Sequence, residues 1–394
     1  MDSIYSLGGA QRCTITLANE MVNKGYDVTI ICTVKVPIDI RVHHNIDKRV
    51  KIVLLEWHNI LNSILTAWTK IFVFINNRTE ILKNDKRILK YIYYTKNTKA
   101  MKRVENFFNS NNFDCVIGVS AIHTMILSLL NKKENTKFIG WQHSSTDRYF
   151  RMKEQFFWHQ DILMKDALNI LDYYVVLTKN DKEKLCKLFN STKIINIPNP
   201  NSFHCNENII RKRNKTIISV GRYNIVKGYD LLIEAFSIFH KSNPDYELKI
   251  VGDGTERDNL EKLIKNFDLE GFVILTGVLD NVKKEYLDSD FYVMSSRQEG
   301  FPVVLIEAME CGLPIVTFDL PCVHEILNDQ CGYVVEYMNI EALADAMLKL
   351  ASIQDKKNIR NACHEQANKF KVENIIKEWE KILWNIIFGK INYI

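Results

Sequence analysis

The stretch Ser295–Val316, SSRQEGFPVVLIEAMECGLPIV, places Glu299 and Glu307 eight positions apart. An apolar segment lies between Pro302 and Gly312. Proline suits the first turn of a helix and glycine suits the position after the last turn, so the pattern predicts a helix between them. The strand-like run DFYVMSS comes just before, which puts RQEGF at the carboxyl end of a strand. We expect an anion site there, because a helix start offers free amides and a positive dipole end.

Two carboxylates beside an anion site make little electrostatic sense if both touch phosphate. They make sense if they accept hydrogen bonds from hydroxyl groups. A nucleotide sugar offers both partners, a diphosphate for the amides and sugar hydroxyls for the carboxylates. The stretch therefore indicates a nucleotide-sugar site.

The length and the pattern of the chain indicate two domains. Its 394 residues are too many for one ordinary core. Short β-branched runs alternate with amphipathic helical patterns on both sides of a linker-like stretch near INIPNPNSFHCNENIIRKRNK. We predict an α/β protein with two Rossmann-like, doubly wound domains at residues 1–198 and 199–375, facing each other across a cleft. A helix at residues 376–394 is expected to pack back on the first domain.

The composition excludes several classes of protein. A net charge of +5 is too small to indicate a nucleic acid partner. Nine scattered cysteines without a CxxC pair are typical of reduced thiols rather than of a zinc site or a disulfide framework. The sequence shows no signal peptide and no run of about 18 apolar residues, so it predicts a cytoplasmic protein.

Positive charge is concentrated in one region. Residues 60–103 contain ten Lys or Arg against two acidic residues. This excess predicts contact with an anionic membrane surface, and a solvated helix face is the alternative. Apolar residues at helical spacing in the same region predict a core-facing helix, with an amphipathic helix in a membrane interface as the alternative.

The motifs, taken together, resemble one enzyme family. The Glu-x7-Glu spacing in EGFPVVLIEAMECGLPIV resembles the signature of retaining glycosyltransferases of family 4, which have the two-Rossmann GT-B architecture. SLGGAQR resembles the family's glycine-rich N-terminal loop, and SVGRYNIVKGYDLLIEAF resembles its strand–loop–helix with paired Arg and Lys. The resemblance is dense from about Thr216 to Val335 and weaker across Ile4 to Asn201.

The resemblance implies roles for the donor domain. Arg222 and Lys227 would hold the diphosphate and neutralise the charge that develops on it as the sugar leaves. Glu307 would accept hydrogen bonds from the ribose hydroxyls. Glu299 would contact the donor sugar. The nearby backbone would contribute as well, at Gly300, Phe301 and Val303.

The resemblance also implies roles for the acceptor domain. Gly8 and Gly9 would let the backbone approach the phosphates. His143, in GWQHSS at the end of a strand, matches the family's histidine near the reacting centre. A metal is not expected, because two cations already face the diphosphate and no DxD-type triplet stands at a strand end.

The implied activity is retaining transfer of a hexose or N-acetylhexosamine from a nucleoside diphosphate, UDP above all, to a lipid-linked or polysaccharide acceptor. The implied setting is surface-polysaccharide or lipopolysaccharide assembly at the inner face of the cell membrane. A two-domain nucleotide-sugar epimerase and a non-catalytic membrane-associated protein are the alternatives. An NAD-dependent dehydrogenase is disfavoured, because no G-x-G-x-x-G follows a first strand.

One feature departs from the family pattern. Only six residues precede Leu7, and DSIYS is too short and polar to form the buried strand with which family members begin. The first strand is expected to be missing, which would expose neighbouring strand edges and lower stability and activity.

Overall fold

The computed structural model describes residues 8–34, 45–55, 99–153, 157–205, 214–279 and 281–387, with Met1, Ile4 and a few positions between 71 and 79. Most of the basic region at 60–103 lies outside the described residues. The chain divides into two compact units. Unit 1 holds Met1–Pro200 and Val372–Ile394, and unit 2 holds Asn201–Lys371.

The observed boundaries differ slightly from the predicted ones at 198/199 and 375/376. The last helix already begins at Val372, so the four residues before 376 form its first turn. The amide of Asn201 donates to the carbonyl of Phe370 at 2.8 Å, which ties the start of unit 2 to its end.

Unit 1 contains two parallel sheets. β1 pairs with β2, whereas β3, β4, β5 and β6 pair in chain order. The strands are β1 (Thr29–Cys32), β2 (Lys51–Leu54), β3 (Cys115–Val119), β4 (Lys137–Trp141), β5 (Tyr173–Val176) and β6 (Ile194–Asn196). The helices are α1 (Gly9–Asn23), α2 (Lys99–Ser110), α3 (Ala121–Leu127), α4 (Asp161–Ile170), α5 (Lys179–Phe189) and the C-terminal α12 (Val372–Ile387). α12 packs against α1 within this unit.

The described residues contain no strand that joins β1 to β3. Among the described residues, Met1 lies along the outer edge of β1. The Met1 amino group donates to the carbonyl of Ile31 at 3.0 Å, and the Met1 carbonyl accepts from the amide of Thr33 at 3.1 Å. These two bonds follow the pattern of a parallel ladder, and Ile4 is fully buried in the adjoining apolar cluster.

Unit 2 contains one six-stranded parallel sheet. Its strands are β7 (Thr216–Val220), β8 (Glu247–Val251), β9 (Val273–Leu275), β10 (Phe291–Met294), β11 (Ile315–Phe318) and β12 (Gly332–Val335). Its helices are α6 (Tyr229–His240), α7 (Arg257–Asn266), α8 (Val282–Leu287), α9 (Val303–Glu310), α10 (Ile340–Ser352) and α11 (Lys357–Asn368). The strand order β12-β11-β10-β7-β8-β9 reverses between β7 and β10.

Three strands of unit 2 are completely buried. Every residue of β7, β10 and β11 is buried, as expected for a parallel sheet covered on both faces, and each reads as a nearly continuous apolar run. β2, β6 and β12 are short and only partly buried, and the sequence analysis does not predict them.

A buried ion pair in unit 2 includes Asp290, the residue before β10. The Lys356 ammonium donates to Oδ2 of Asp290 at 3.0 Å, and the Tyr246 hydroxyl donates to the same oxygen at 2.9 Å. The two charged side chains are 3% and 1% exposed. Asp290 also pairs with Arg360 at 3.6 Å, so removing Asp290 would leave the buried Lys356 ammonium without its counter-charge, whereas Asp290 would keep Arg360 if Lys356 were removed.

We expect Asp290→Ala to lower the free energy of unfolding by about 3–5 kcal/mol, because the Lys356 ammonium stays buried without its carboxylate. Urea unfolding of the full chain measures the loss. Asp245→Ala is the control, since it removes a surface partner of Lys215 and should change stability little. Equal stability of the two variants would contradict the prediction.

Candidate functional site

Two loops follow the two strands at which the strand order of unit 2 reverses. Loop A is residues 221–228 after β7, and loop B is residues 295–302 after β10. The carboxyl ends of β7 and β10 lie side by side, because the two strands are parallel neighbours. Ligands of doubly wound sheets bind at such reversals, where the crossover connections diverge and leave a crevice.

A charged pair joins the two loops. The Lys227 ammonium of loop A donates to Oε1 of Glu299 in loop B at 2.7 Å. The Ser296 hydroxyl donates to the same oxygen at 2.6 Å. The Lys227 and Glu299 side chains are only 21% and 13% exposed, so solvent screens their attraction less than that of a surface pair. The structure thus brings two residues predicted from the sequence into direct contact.

Arg222 lies in loop A and is exposed. Its carbonyl accepts from the amide of Asn224 at 2.8 Å, which bends the chain just after β7. The Asn224 side chain accepts from the amide of Lys227 and begins a short 3-10 turn, Ile225–Lys227. This turn orients Lys227 toward loop B.

Helix α9 begins directly after loop B. It runs from Val303 to Glu310, between Pro302 and Gly312 as predicted, with Pro302 as the N-cap and Cys311 as the C-cap. Gly312 follows with φ +64°, and the amides of Gly312 and Leu313 donate to the carbonyls of Met309 and Ala308. This is the Schellman arrangement, in which a glycine ends the helix in the left-handed region.

The start of α9 has no side-chain cap. Pro302 makes no side-chain capping bond, and the first turn of α9 contains no acidic residue. The first amides of a helix have no intrahelical acceptor. Val303 is the first helical residue, and Gly300 and Phe301 precede it in loop B. Phe301 is buried, with its ring centroid 5.9 Å from that of Phe370.

Glu307 is fully buried in α9. Its Oε2 accepts from the Tyr286 hydroxyl at 3.1 Å, and its Oε1 accepts from the Ser202 hydroxyl. Burial, together with the charges of Glu299 and Glu307, raises the pKa of Tyr292 far above its usual range. Both carboxylate oxygens of Glu307 thus accept from hydroxyl groups of the protein itself, and its contact with ribose hydroxyls stays a prediction.

The glycines predicted for the acceptor domain stand at the start of α1. Gly8 is its N-cap in an extended conformation and Gly9 is its first residue. A Cβ at Gly9 would meet no atom within 4 Å, whereas one at Gly8 would meet only the Gln11 side chain. Neither position needs glycine for the backbone conformation seen here, so their proposed role depends on an approaching ligand.

His143 stands two residues beyond β4. Its ring lies 4.3 Å from the ring of Trp141, and both ring nitrogens are buried without a hydrogen-bond partner among the described residues. Burial lowers the pKa of His143 to about 3. The imidazole is therefore neutral near pH 7 and can both donate and accept a hydrogen bond.

Sequence reasoning missed three hydroxyl groups of this site. Ser296 stands in the quoted motif, so its position beside Glu299 was a usable signal. Tyr286 and Ser202 contact Glu307 from 21 and 105 positions away along the chain. Such contacts leave no local pattern in a single sequence.

No group of three or more His, Cys, Asp or Glu side chains in the described ranges could hold a metal ion. None of the helices in this part of the chain is both long and apolar enough to cross a membrane.

Residues 202–370 match the family model of glycosyl transferases group 1. This group 1 domain corresponds to unit 2, with bounds one residue inside those of the unit. Arg222, Lys227, Glu299 and Glu307 all lie within it.

Two curated relatives extend over nearly the whole chain. An uncharacterized glycosyltransferase from Haemophilus influenzae is 28% identical over 388 residues, which is 97% of this chain and 98% of the relative. The amylovoran biosynthesis glycosyltransferase AmsD of Erwinia amylovora is 27% identical over 398 residues, with the same coverage. Both similarities include the group 1 domain and the unit that precedes it.

Solved structures show the fold. TarM of S. aureus, determined with UDP and alpha-GlcNAc-glycerol, has a TM-score of 0.77 at 17% identity and covers 97% of this chain and 98% of its own. HepE of Anabaena, determined with UDP and glucose, has a TM-score of 0.74 at 14% identity and covers 97% of each chain. The chain therefore has the GT-B fold predicted from its sequence.

The close approach of the two loops can be tested at Gly228. Its φ is +63°, and an added Cβ would lie 2.1 Å from the carbonyl oxygen of Ser295. An alanine in the left-handed region alone lowers the free energy of unfolding by about 1–2 kcal/mol. We expect Gly228→Ala to lower it by more, because loop B must also move. Gly271→Ala is the matched control, with φ +86° and open space around the Cβ. Equal urea unfolding curves would contradict a close contact between the loops.

The neutrality of His143 can be tested by NMR. Its folded-state pKa lies below the ordinary value of about 6.5, so the stability it contributes is present above pH 6.5 and lost as the pH falls toward 3. We expect the imidazole Cε1–H resonance, assigned with His143→Gln, to stay constant between pH 8 and pH 5. A titration midpoint near 6.5 would show that the ring is not desolvated.

Proposed function

We propose that this chain is a retaining glycosyltransferase of family 4 that transfers a hexose or N-acetylhexosamine from a UDP-sugar to a lipid-linked or polysaccharide acceptor. The observation that carries the proposal is the contact of Lys227 with Glu299 at the reversal of strand order, inside the group 1 domain. A cation and a carboxylate in contact there match the two chemical halves of a nucleotide sugar.

The cations would serve the diphosphate. Lys227 and the exposed Arg222 stand in loop A, and the start of α9, which has no side-chain cap, follows loop B. Fixed positive groups stabilise the charge that develops on the diphosphate as the glycosidic bond breaks. We propose that they replace a divalent metal in this role, so turnover should persist in a chelator.

The carboxylates would serve the sugars. Both described hydrogen bonds of the Glu299 carboxylate end on Oε1, which leaves Oε2 for a hydroxyl of the donor sugar. Glu307 would bind the ribose by exchanging the Ser202 hydroxyl for a ribose hydroxyl, while Tyr286 keeps hold of the other oxygen. A neutral His143 would hydrogen-bond a sugar near the reacting carbon rather than act as a cation.

Retention would follow from attack on the face from which the diphosphate leaves. In this mechanism the leaving phosphate helps to take the proton of the acceptor hydroxyl. The proposal needs no carboxylate nucleophile, and Glu299 is already engaged by Lys227 and Ser296. The anomeric configuration of the product, read by NMR, tests retention.

The names of relatives support the substrate class. AmsD is named for amylovoran biosynthesis, and TarM and HepE were determined with UDP and a sugar. We propose a role in cell-surface glycan assembly on the cytoplasmic side of the membrane. The basic region at 60–103 would contact the anionic membrane surface.

Thermal unfolding with nucleotides tests the donor site. At about a hundred times its dissociation constant, a ligand stabilises a protein by about 2.7 kcal/mol. We expect UDP to raise the melting temperature in the presence of EDTA, and NAD to leave it unchanged. Lys227→Met should abolish the shift, whereas Glu299→Gln should keep the shift with UDP and lose the additional shift with the UDP-sugar.

Lys249→Met is the matched control, because it removes a partly buried ion pair with Glu285 elsewhere in unit 2. It should leave the nucleotide shift intact. Consumption of UDP-sugar with epimerisation and no transfer would point to an epimerase instead. A wild-type chain that no nucleotide stabilises would contradict the proposal.

A further inference from the structure

Arg297 fixes loop B to loop A, which carries Lys227. Its guanidinium donates to both carboxylate oxygens of Asp230 at 2.7 and 2.6 Å and to the carbonyl of Ile225 at 2.8 Å. Its amide donates to the carbonyl of Val226 at 2.7 Å. A single residue of loop B thus makes four hydrogen bonds to loop A and the start of α6.

The guanidinium geometry suits this contact. Two parallel N–H groups match two carboxylate oxygens, and a lysine has no equivalent fork. Asp230 lies in the first turn of α6, where the helix dipole favours a negative charge. Burial alone would raise the pKa of Asp230, but the hydrogen bonds and charge of Arg297 hold it below its ordinary value.

Arg297 and Asp230 are close in sequence to the pair in the candidate site. Glu299 follows Arg297 by two positions, and Lys227 follows Val226 directly. The hydroxyl of Ser295 also donates to the carbonyl of Lys227 at 3.1 Å. Any shift of Arg297 relative to α6 would therefore move the Glu299 carboxylate relative to the Lys227 ammonium.

We propose that Arg297 and Asp230 are a positioning pair of the donor site: they fix loop B on loop A so that the Glu299 carboxylate stays 2.7 Å from the Lys227 ammonium. The pair acts through Glu299 and Lys227, not by touching the reacting atoms. Its effect on turnover rests on the proposed function, whereas its hold on the two loops does not.

Two measurements on the full chain test the proposal. The variants are Arg297→Lys, which keeps the charge and loses the fork, and Asp230→Asn. Hydrogen exchange read by mass spectrometry should become faster in the peptides that contain loops A and B. Hydrolysis of UDP-glucose and UDP-N-acetylglucosamine should lose about 10- to 100-fold in kcat, as expected for a displaced reacting group, with KM less affected.

A double-mutant cycle separates positioning from general stability. If Arg297 acts through Glu299, Arg297→Lys should add little to the loss already caused by Glu299→Gln. Lys249→Met again serves as the control, because both side chains of its ion pair with Glu285 are at least as buried as those of Arg297 and Asp230. It should leave exchange in both loops and kcat unchanged.

The outcomes distinguish the two proposals. Unchanged exchange in both loops would overturn the positioning pair, and so would faster exchange with an unchanged kcat. Additive losses in the cycle would also count against it. A wild-type chain that neither binds UDP nor hydrolyses either UDP-sugar would overturn the proposed function, and the exchange data would still decide whether Arg297 and Asp230 hold the loops.

Discussion

The reversal of strand order between β7 and β10 is the constraint on which the described site depends. Parallel neighbours whose crossovers leave in opposite directions cannot both be covered by a helix at their carboxyl ends. The loops that follow them are therefore placed side by side and stay available to a ligand. This is how Lys227 and Glu299, 72 positions apart in the chain, come into contact.

The sequence predicted the parts of this site that repeat a local rule. The helix after loop B is bounded by Pro302 and Gly312, and the structure places both at its ends. The buried strands β7, β10 and β11 are visible because burial on both faces leaves almost only apolar residues. Lys227 and Glu299 could be predicted because each belongs to a motif that follows the end of a predicted strand.

The sequence could not predict what depends on distant partners. The fully buried Glu307 is hydrogen-bonded by Tyr286 of α8 and by Ser202 among the first residues of unit 2. The strands β2, β6 and β12 are apolar but only three or four residues long, too short for periodicity to distinguish a strand from other structure. The two hydrogen bonds between Arg297 and Asp230 join two motifs that can each be recognised in the sequence. Their pairing exists only in the folded structure.

Helix α9 differs from an ordinary surface helix because all eight of its residues, including Glu307 and Glu310, are buried. A helix such as α7, with only Leu260 and Ile264 buried, can vary on most of its surface. In α9 each position is constrained by tight packing, and two positions also by a carboxylate that needs partners. Most substitutions in this helix should therefore destabilise the fold. Its sequence should change more slowly than that of the rest of the chain.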